Sequence, residues 1–117
     1  MVRILHKLAE EKNFERRIVK ALKQKGAWIL KTHGGVMQRS GIPDLLCCVN
    51  GMLLCLELKA SNGRVSELQK HNICEIRKSG GLAFVVYPED FEAVMELIDR
   101  INAGEFFKNR RENEITR

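Results

Sequence analysis

The dipeptide Asn50-Gly51 stands between two apolar runs, residues 44–49 (DLLCCV) and 52–59 (MLLCLELK), and no other feature constrains this 117-residue chain as strongly. Asn-Gly supplies the two left-handed residues of a type I′ turn, so the runs pair as an antiparallel hairpin with a two-residue loop. Facing residues in such a hairpin have a constant index sum. Val49 opposite Met52 gives 101, and so does Asp44 opposite Glu57. The two carboxylates are therefore expected to face each other with Cβ atoms about 4.5–5.5 Å apart, which is destabilising unless something neutralises them. A divalent cation is the natural neutraliser, and Mg2+ takes hard oxygen ligands, usually one or two carboxylates with water and phosphate oxygens. Strand side chains alternate, which puts Lys59 on the face of Glu57 and turns Leu58 the other way.

Around the hairpin the pattern predicts a mixed α/β fold. Asn13 is placed to N-cap a helix that ends at Gly26, with residues 1–12 an irregular or helical lead-in and Phe14, Ile18, Val19 and Leu22 facing inward. Residues 27–32 (AWILKT) read as a strand, and residues 33–43 as a turn-rich loop with three glycines and a proline. Ser66-x-x-Gln69 opens a second helix that runs to Ser79 and stops at Gly80, and residues 82–87 (LAFVVY) give another strand. A last helix starts at Pro88, carries Phe91, Val94, Met95, Ile98 and Ile101 at helical spacing, and ends at Gly104. The order α-β-β-β-α-β-α implies one domain over 1–117, with a core of about 12–104 and a polar tail at 105–117.

Composition removes several function classes. No apolar run approaches the roughly 18 residues of a membrane span, and the first residues lack the apolar stretch and cleavage site of a signal peptide, so a cytoplasmic location is expected, at the nucleoid or in a viral host's cytoplasm. Cys47, Cys48 and Cys55 lie in apolar segments and Cys74 in a helical pattern, so all four read as buried reduced thiols. Without a C-x-x-C pair, and with His6, His33 and His71 scattered, zinc is disfavoured. The formal net charge is +5, and residues 1–31 hold nine Lys or Arg against Glu10, Glu11 and Glu15. Such a basic end suits a polyanion such as DNA, although a solvated helix face has the same composition.

Two polar residues intrude on apolar stripes. Glu15 shares one with Ile18, Val19 and Leu22, and Gln69 shares one with Ile73 and Ile76. A carboxylate turned toward a sheet needs a partner or a metal, which the face of Asp44, Glu57 and Lys59 offers. Simpler readings exist for each: Glu15 suits a helix N-terminus, Gln69 closes a capping box, Asp44 is a turn residue, and Glu57 with Lys59 forms a solvated strand face. Glu57, however, lies in a strand that is otherwise apolar on both faces, which argues against solvation there.

Gly41-Ile42-Pro43-Asp44, Leu56-Glu57-Leu58-Lys59, Ser66-Glu67-Leu68-Gln69 and Gly80-Gly81 together resemble the VRR-NUC (virus-type replication-repair nuclease) domain of the PD-(D/E)xK superfamily, over roughly residues 12–100. One departure is Leu58, where the family usually has a branched residue. The resemblance implies a restriction-endonuclease-like core and a metal-dependent endonuclease with Glu15, Asp44, Glu57, Lys59 and Gln69 as catalytic residues. It further implies Mg2+, replaceable by Mn2+, held by Asp44, Glu57 and the Leu58 carbonyl with help from Glu15. Arg16, Arg17, Lys20, Lys31, Gln38, Arg39, Ser40 and Arg64 are the expected DNA contacts. Stand-alone members resemble Holliday-junction resolvases that act as homodimers on branched DNA. The competing expectations are a flap or general structure-selective nuclease and a non-cleaving junction-binding module. Candidate dimer surfaces are the last helix, the sheet edge and Phe106-Phe107.

Overall fold

The computed structural model describes residues 2–32 and 40–106. Their order is α1 (Val2–Gln24), β1 (Trp28–Lys31), β2 (Leu45–Val49), β3 (Met52–Leu58), α2 (Glu67–Lys78), β4 (Leu82–Val86), a short 3-10 turn (Pro88–Asp90) and α3 (Phe91–Asn102). This is the expected mixed α/β fold with a restriction-endonuclease-like core and a C-terminal helix. The loop expected at 33–43 lies, through Arg39, outside the described residues, as does the tail from Phe107.

The hairpin forms in the anticipated register, Val49 opposite Met52 through Leu45 opposite Leu56, across a turn in which Asn50 and Gly51 have φ of 46° and 80°. β1 pairs antiparallel with β2, β4 pairs parallel with β3, and the sheet order is β1-β2-β3-β4. One face carries Leu45, Cys47, Val49, Leu54, Leu56 and Leu58 into the main core, where Phe14, Ile18, Val19 and Leu22 of α1 meet Val94, Ile98 and Ile101 of α3. The other face is covered in part by α2, which packs Ile73 over Cys55 and Ala83.

α1 begins at Val2, so Asn13 is not a cap. Residues 2–12 contain no Gly or Pro and include the good helix formers Leu5, Lys7, Leu8, Ala9, Glu10, Glu11 and Lys12, so a helix nucleated on the buried stripe extends backward at little cost. The Asn13 side chain instead accepts a bond from Arg16. At the other end the Gly26 N–H bonds to the Lys23 carbonyl and the Ala27 N–H to the Leu22 carbonyl, the Schellman pattern, with Gly26 at φ +87°, where a side chain would be strained. Pro88 starts a 3-10 turn rather than α3 itself, and the Asp90 carboxylate accepts the Tyr87 N–H.

The thiols need a correction. Cys47 and Cys55 are buried, but Cys48 and Cys74 are exposed. Strand alternation turns Cys48 away from the main core, and Cys74 sits on the outer side of α2. Burial pushes the Cys47 thiol up to about 12 and the Cys55 thiol up to about 11, which suppresses their nucleophilic thiolates. Native reduced protein is therefore expected to keep Cys47 and Cys55 unreactive toward an aromatic disulfide reagent until it is denatured. Four fast thiols before denaturation would contradict this packing.

Candidate active site

The site is built on the end of β3. Glu57 is 3% exposed, in a strand whose neighbours Leu54, Cys55, Leu56 and Leu58 are buried. A carboxylate in such surroundings loses hydration and needs charged or hydrogen-bonding partners. It has them on one oxygen. Oε2 lies 3.5 Å from Lys59 Nζ and accepts from Gln69 Nε2 at 3.1 Å. Oε1 is buried with no hydrogen-bond partner.

Asp44 reaches the same place from just before β2. Its Oδ2 accepts the Leu58 N–H at 2.9 Å, and its carboxyl is close enough to Glu57 for a hydrogen bond between the two to perturb Glu57. The approach is held from behind. Thr32 donates its hydroxyl to the Pro43 carbonyl at 2.7 Å and its N–H to the Asp44 carbonyl at 2.9 Å, while Pro43 is fully buried. Gly41, at φ +77°, lies under α2 so closely that a Cβ there would stand 2.5 Å from Leu68 Cγ. Gly-x-Pro-Asp is thus a fitted path: glycine passes beneath the helix, proline plugs the core, and Asp44 arrives at β3.

Gln69 resolves the two readings the sequence left open, because its amide serves both. Oε1 accepts the Ser66 N–H at 2.9 Å and the Gln69 N–H bonds to Ser66 Oγ, completing the capping box, while Nε2 reaches Glu57. The stem of Lys59 is packed against the loop after it, with Gly63 so close that a Cβ there would lie 3.2 Å from Lys59 Cβ. The Gly63 carbonyl in turn accepts the Tyr87 hydroxyl.

Glu15 lines a cavity of about 300 Å3 together with Asp44, Leu58, Leu8, Glu11 and Lys12. Its side chain is 16% exposed and lies 4.0 Å from Lys31 Nζ. Among the described residues no group of three or more His, Cys, Asp or Glu side chains is gathered to hold an ion, so Glu15 does not join Asp44 and Glu57 in a three-carboxylate cluster. The donor set that does converge is two carboxylates beside the backbone of Leu58, and the orphaned Glu57 Oε1 is a hard oxygen with spare capacity. That set fits a Mg2+ ion that retains most of its water. Leu8, Glu11 and Lys12 were not among the expected site residues. Glu11 stands one helical turn before Glu15, a spacing that would have revealed it had the helix been drawn past Asn13.

Of the expected DNA contacts, Arg16, Arg17, Lys20, Lys31, Ser40 and Arg64 are exposed. Arg17 stacks over the Phe91 ring with 4.3 Å to its centroid, which ties it to α3. Gln38 and Arg39 lie outside the described residues.

Burial, reinforced by the Asp44 charge and opposed by Lys59, pushes the Glu57 carboxyl from 4.5 up to about 8. A carboxyl raised on folding contributes its full stability below the unfolded value and loses it as pH rises through the folded one, at about 1.4 kcal/mol per pH unit between the two. Protein in chelator is therefore expected to lose a few kcal/mol of unfolding free energy between pH 5 and 8. Glu57→Gln, facing the same Asp44, Lys59 and Gln69, should flatten that decline in denaturant titrations. An equally steep decline in the variant would remove Glu57 as its source.

The model of the archaeal Holliday junction resolvase (hjc) family matches residues 6–86, a stretch that includes Glu15, Asp44, Glu57, Lys59, Gln69 and the whole sheet. No curated protein and no solved structure matches the chain. The family match spans well over half of the sequence and agrees with the superfamily expected from the motifs: the chain belongs to the archaeal Holliday junction resolvase family, a PD-(D/E)xK nuclease family whose substrate is branched DNA.

Proposed function

We propose that the protein is a Mg2+-dependent, structure-selective DNA endonuclease that resolves four-way junctions as a homodimer in the cytoplasm, with an organisation close to the stand-alone VRR-NUC domains. The observation that carries the reading is the buried Glu57 carboxylate, with Lys59 and Gln69 on one oxygen and the other oxygen unbonded beside Asp44.

In this reading Asp44, Glu57 and the Leu58 carbonyl hold the ion. Glu15, on the wall of the cavity that Asp44 also lines, orients water there. When bound, Mg2+ supplies charge neutralisation at the scissile phosphate and a lowered pKa for the attacking water, and Mn2+ can replace it. Lys59 Nζ, fixed by its packed stem and by Glu57, orients the nucleophile toward phosphorus. Gln69 keeps Glu57 in place through a side chain that is itself fixed by the helix cap, so its role is positioning. Arg16, Arg17, Lys20, Lys31, Ser40 and Arg64 meet phosphates, with Gln38 and Arg39 assigned to the same task from the sequence. Such contacts set where the duplex lies and carry no base information.

Labelled four-way, flap and linear duplex DNA incubated with Mg2+ or Mn2+ tests the reading. Paired symmetric cuts in the four-way substrate are expected. Asp44→Ala and Lys59→Ala should each lower the cleavage rate by roughly two or more orders of magnitude, with junction affinity changed less than about threefold, because the phosphate contacts lie elsewhere. Preferred cutting of flaps would make this a flap nuclease. Tight junction binding without cutting under any divalent ion would make it a binding module, and undiminished cutting by Asp44→Ala would remove the assigned site.

A further inference from the structure

Lys59 stands one residue past the end of β3, with its N–H bonded to the Val86 carbonyl at 3.0 Å. Residues 60–65 then belong to no strand or helix until Ser66 caps α2. This loop folds back on the lysine it follows: a Cβ on Gly63 would lie 3.2 Å from Lys59 Cβ and 3.4 Å from Lys59 Cδ. Where Gly63 sits therefore decides where the Lys59 stem runs, and with it the place of Nζ beside Glu57. Three bonds fix that loop. The Gly63 N–H closes a turn onto the carbonyl of the buried Ala60 at 2.8 Å, with Asn62 inside it at φ +66°, a left-handed conformation that Asn tolerates better than most side chains. The Tyr87 hydroxyl donates to the Gly63 carbonyl at 3.0 Å. At the leading corner of the turn the Ser61 N–H donates to Oε1 of Glu10, on α1.

We infer that Glu10 is a positioning residue for Lys59, holding through Ser61 the turn that packs on the lysine stem. The inference rests on the reading of Lys59 as the residue that orients the nucleophile. Residues 2–9 of α1 are all exposed, and Glu10 is the first that is half-buried. It is the point at which the N-terminal extension of the helix touches the rest of the fold: Arg3, His6, Lys7 and Glu10 face Ser61 and Asn62 across a cavity of about 590 Å3. The bond is charge-assisted. Ser61 first, then the nearby His6 and Lys7, hold the Glu10 carboxyl below the usual carboxylate range, and an ionised acceptor makes a bond roughly twice as strong as a neutral one. Its partner is a backbone N–H inside a closed turn, so the tie fixes a position and does not merely pair two flexible side chains. α1 also carries Glu15, five residues or about 7.5 Å further along the same helix. One rigid element thus sets both the carboxylate on the cavity wall beside Asp44 and the turn behind Lys59.

Single-turnover cleavage of labelled four-way DNA at saturating protein, with junction affinity measured separately, reads the effect. Glu10→Ala is expected to lower the rate about tenfold or more and to change affinity less than about threefold, because a displaced lysine costs rate while the phosphate contacts stay. Glu10→Asp keeps the charge and loses one methylene of reach, so it should fall alike, and it carries the test should Glu10→Ala fail to fold. Glu10→Gln keeps the reach and an acceptor oxygen and should stay within about threefold of the parent. NMR should show faster exchange of the Ser61 N–H and a more mobile Lys59 Nζ in Glu10→Ala and Glu10→Asp. Mg2+-induced thermal stabilisation should be unchanged, since Asp44 and Glu57 are untouched. A Glu10→Ala protein that melts lower yet cuts at the parent's rate, with Nζ as ordered, overturns the inference and leaves Glu10 a structural tie. So does a rate kept in Glu10→Asp and lost in Glu10→Gln, which would make charge and not the tie the cause. A parent chain that cuts no DNA with Mg2+ or Mn2+ removes the nuclease reading. Lys59 mobility then decides alone: a loosened Nζ in Glu10→Ala upholds the positioning role, and an unchanged one overturns it.

Discussion

Glu57 is the constraint around which the rest of the structure is arranged. A carboxylate placed among leucines in the second-last position of a buried strand costs several kcal/mol unless its charge is answered, and a free-standing fold would gain by replacing it with an apolar residue. The surrounding residues answer that charge only on one side. Lys59 and Gln69 take Oε2, Asp44 adds a second carboxyl, and Oε1 is left with no bond. A structural ion pair would satisfy both oxygens. An unsatisfied hard oxygen beside another carboxylate suits the divalent cation proposed above.

Each partner reaches Glu57 by a separate route, and each route is fixed by something other than the charge itself. Asp44 is delivered by the buried Pro43 and by Gly41 beneath Leu68. Gln69 is fixed by the cap of α2, and Lys59 by the loop folded over its stem. The like charges of Asp44 and Glu57 are therefore held together by packing and backbone bonds, which do not relax when the charges repel. That is the condition under which an enzyme keeps a preorganised, electrostatically unfavourable site.

The parts of this arrangement that were legible in the sequence are the local ones. Asn-Gly dictates a turn and the turn dictates a register, so the meeting of Asp44 and Glu57 followed from counting, even though pairing stops at Leu45 and Leu56 and Asp44 lies just outside the strand. Ser66-x-x-Gln69 dictates a cap, and each helix stop expected at Gly26, Gly80 and Gly104 carries a positive φ. What escaped was set by contacts between distant residues. The N-terminal extension of α1 has no periodic apolar partner to announce it, and its Glu10 side chain accepts the Ser61 N–H across the fold. With residues 1–12 left open between irregular and helical, Glu11 and Lys12 were not placed at the site. Gln69 was left between its cap and the site, because its reach to Glu57 depends on α2 crossing above β3, which no spacing along the chain encodes. Cys48 and Cys74 were misjudged because an apolar run looks the same whether one of its faces meets a helix or stays open.

That last ambiguity bears on how so small a chain divides its surface. α1 and α3 bury most of one sheet face, and this one face supplies most of the core. The other face is shared: α2 closes the part where Cys55 and Ala83 lie, the strand end beyond it holds Glu57, and the part toward the β1 edge remains apolar and open. Residues 40–44 bring the Asp44 carboxylate to that strand end, past the buried Pro43 and with Gly41 beneath Leu68. Among the described residues the helices are committed to the core and to the part of the second face nearest Glu57, and the apolar side chains of Trp28, Leu30 and Leu53 toward the β1 edge stay exposed.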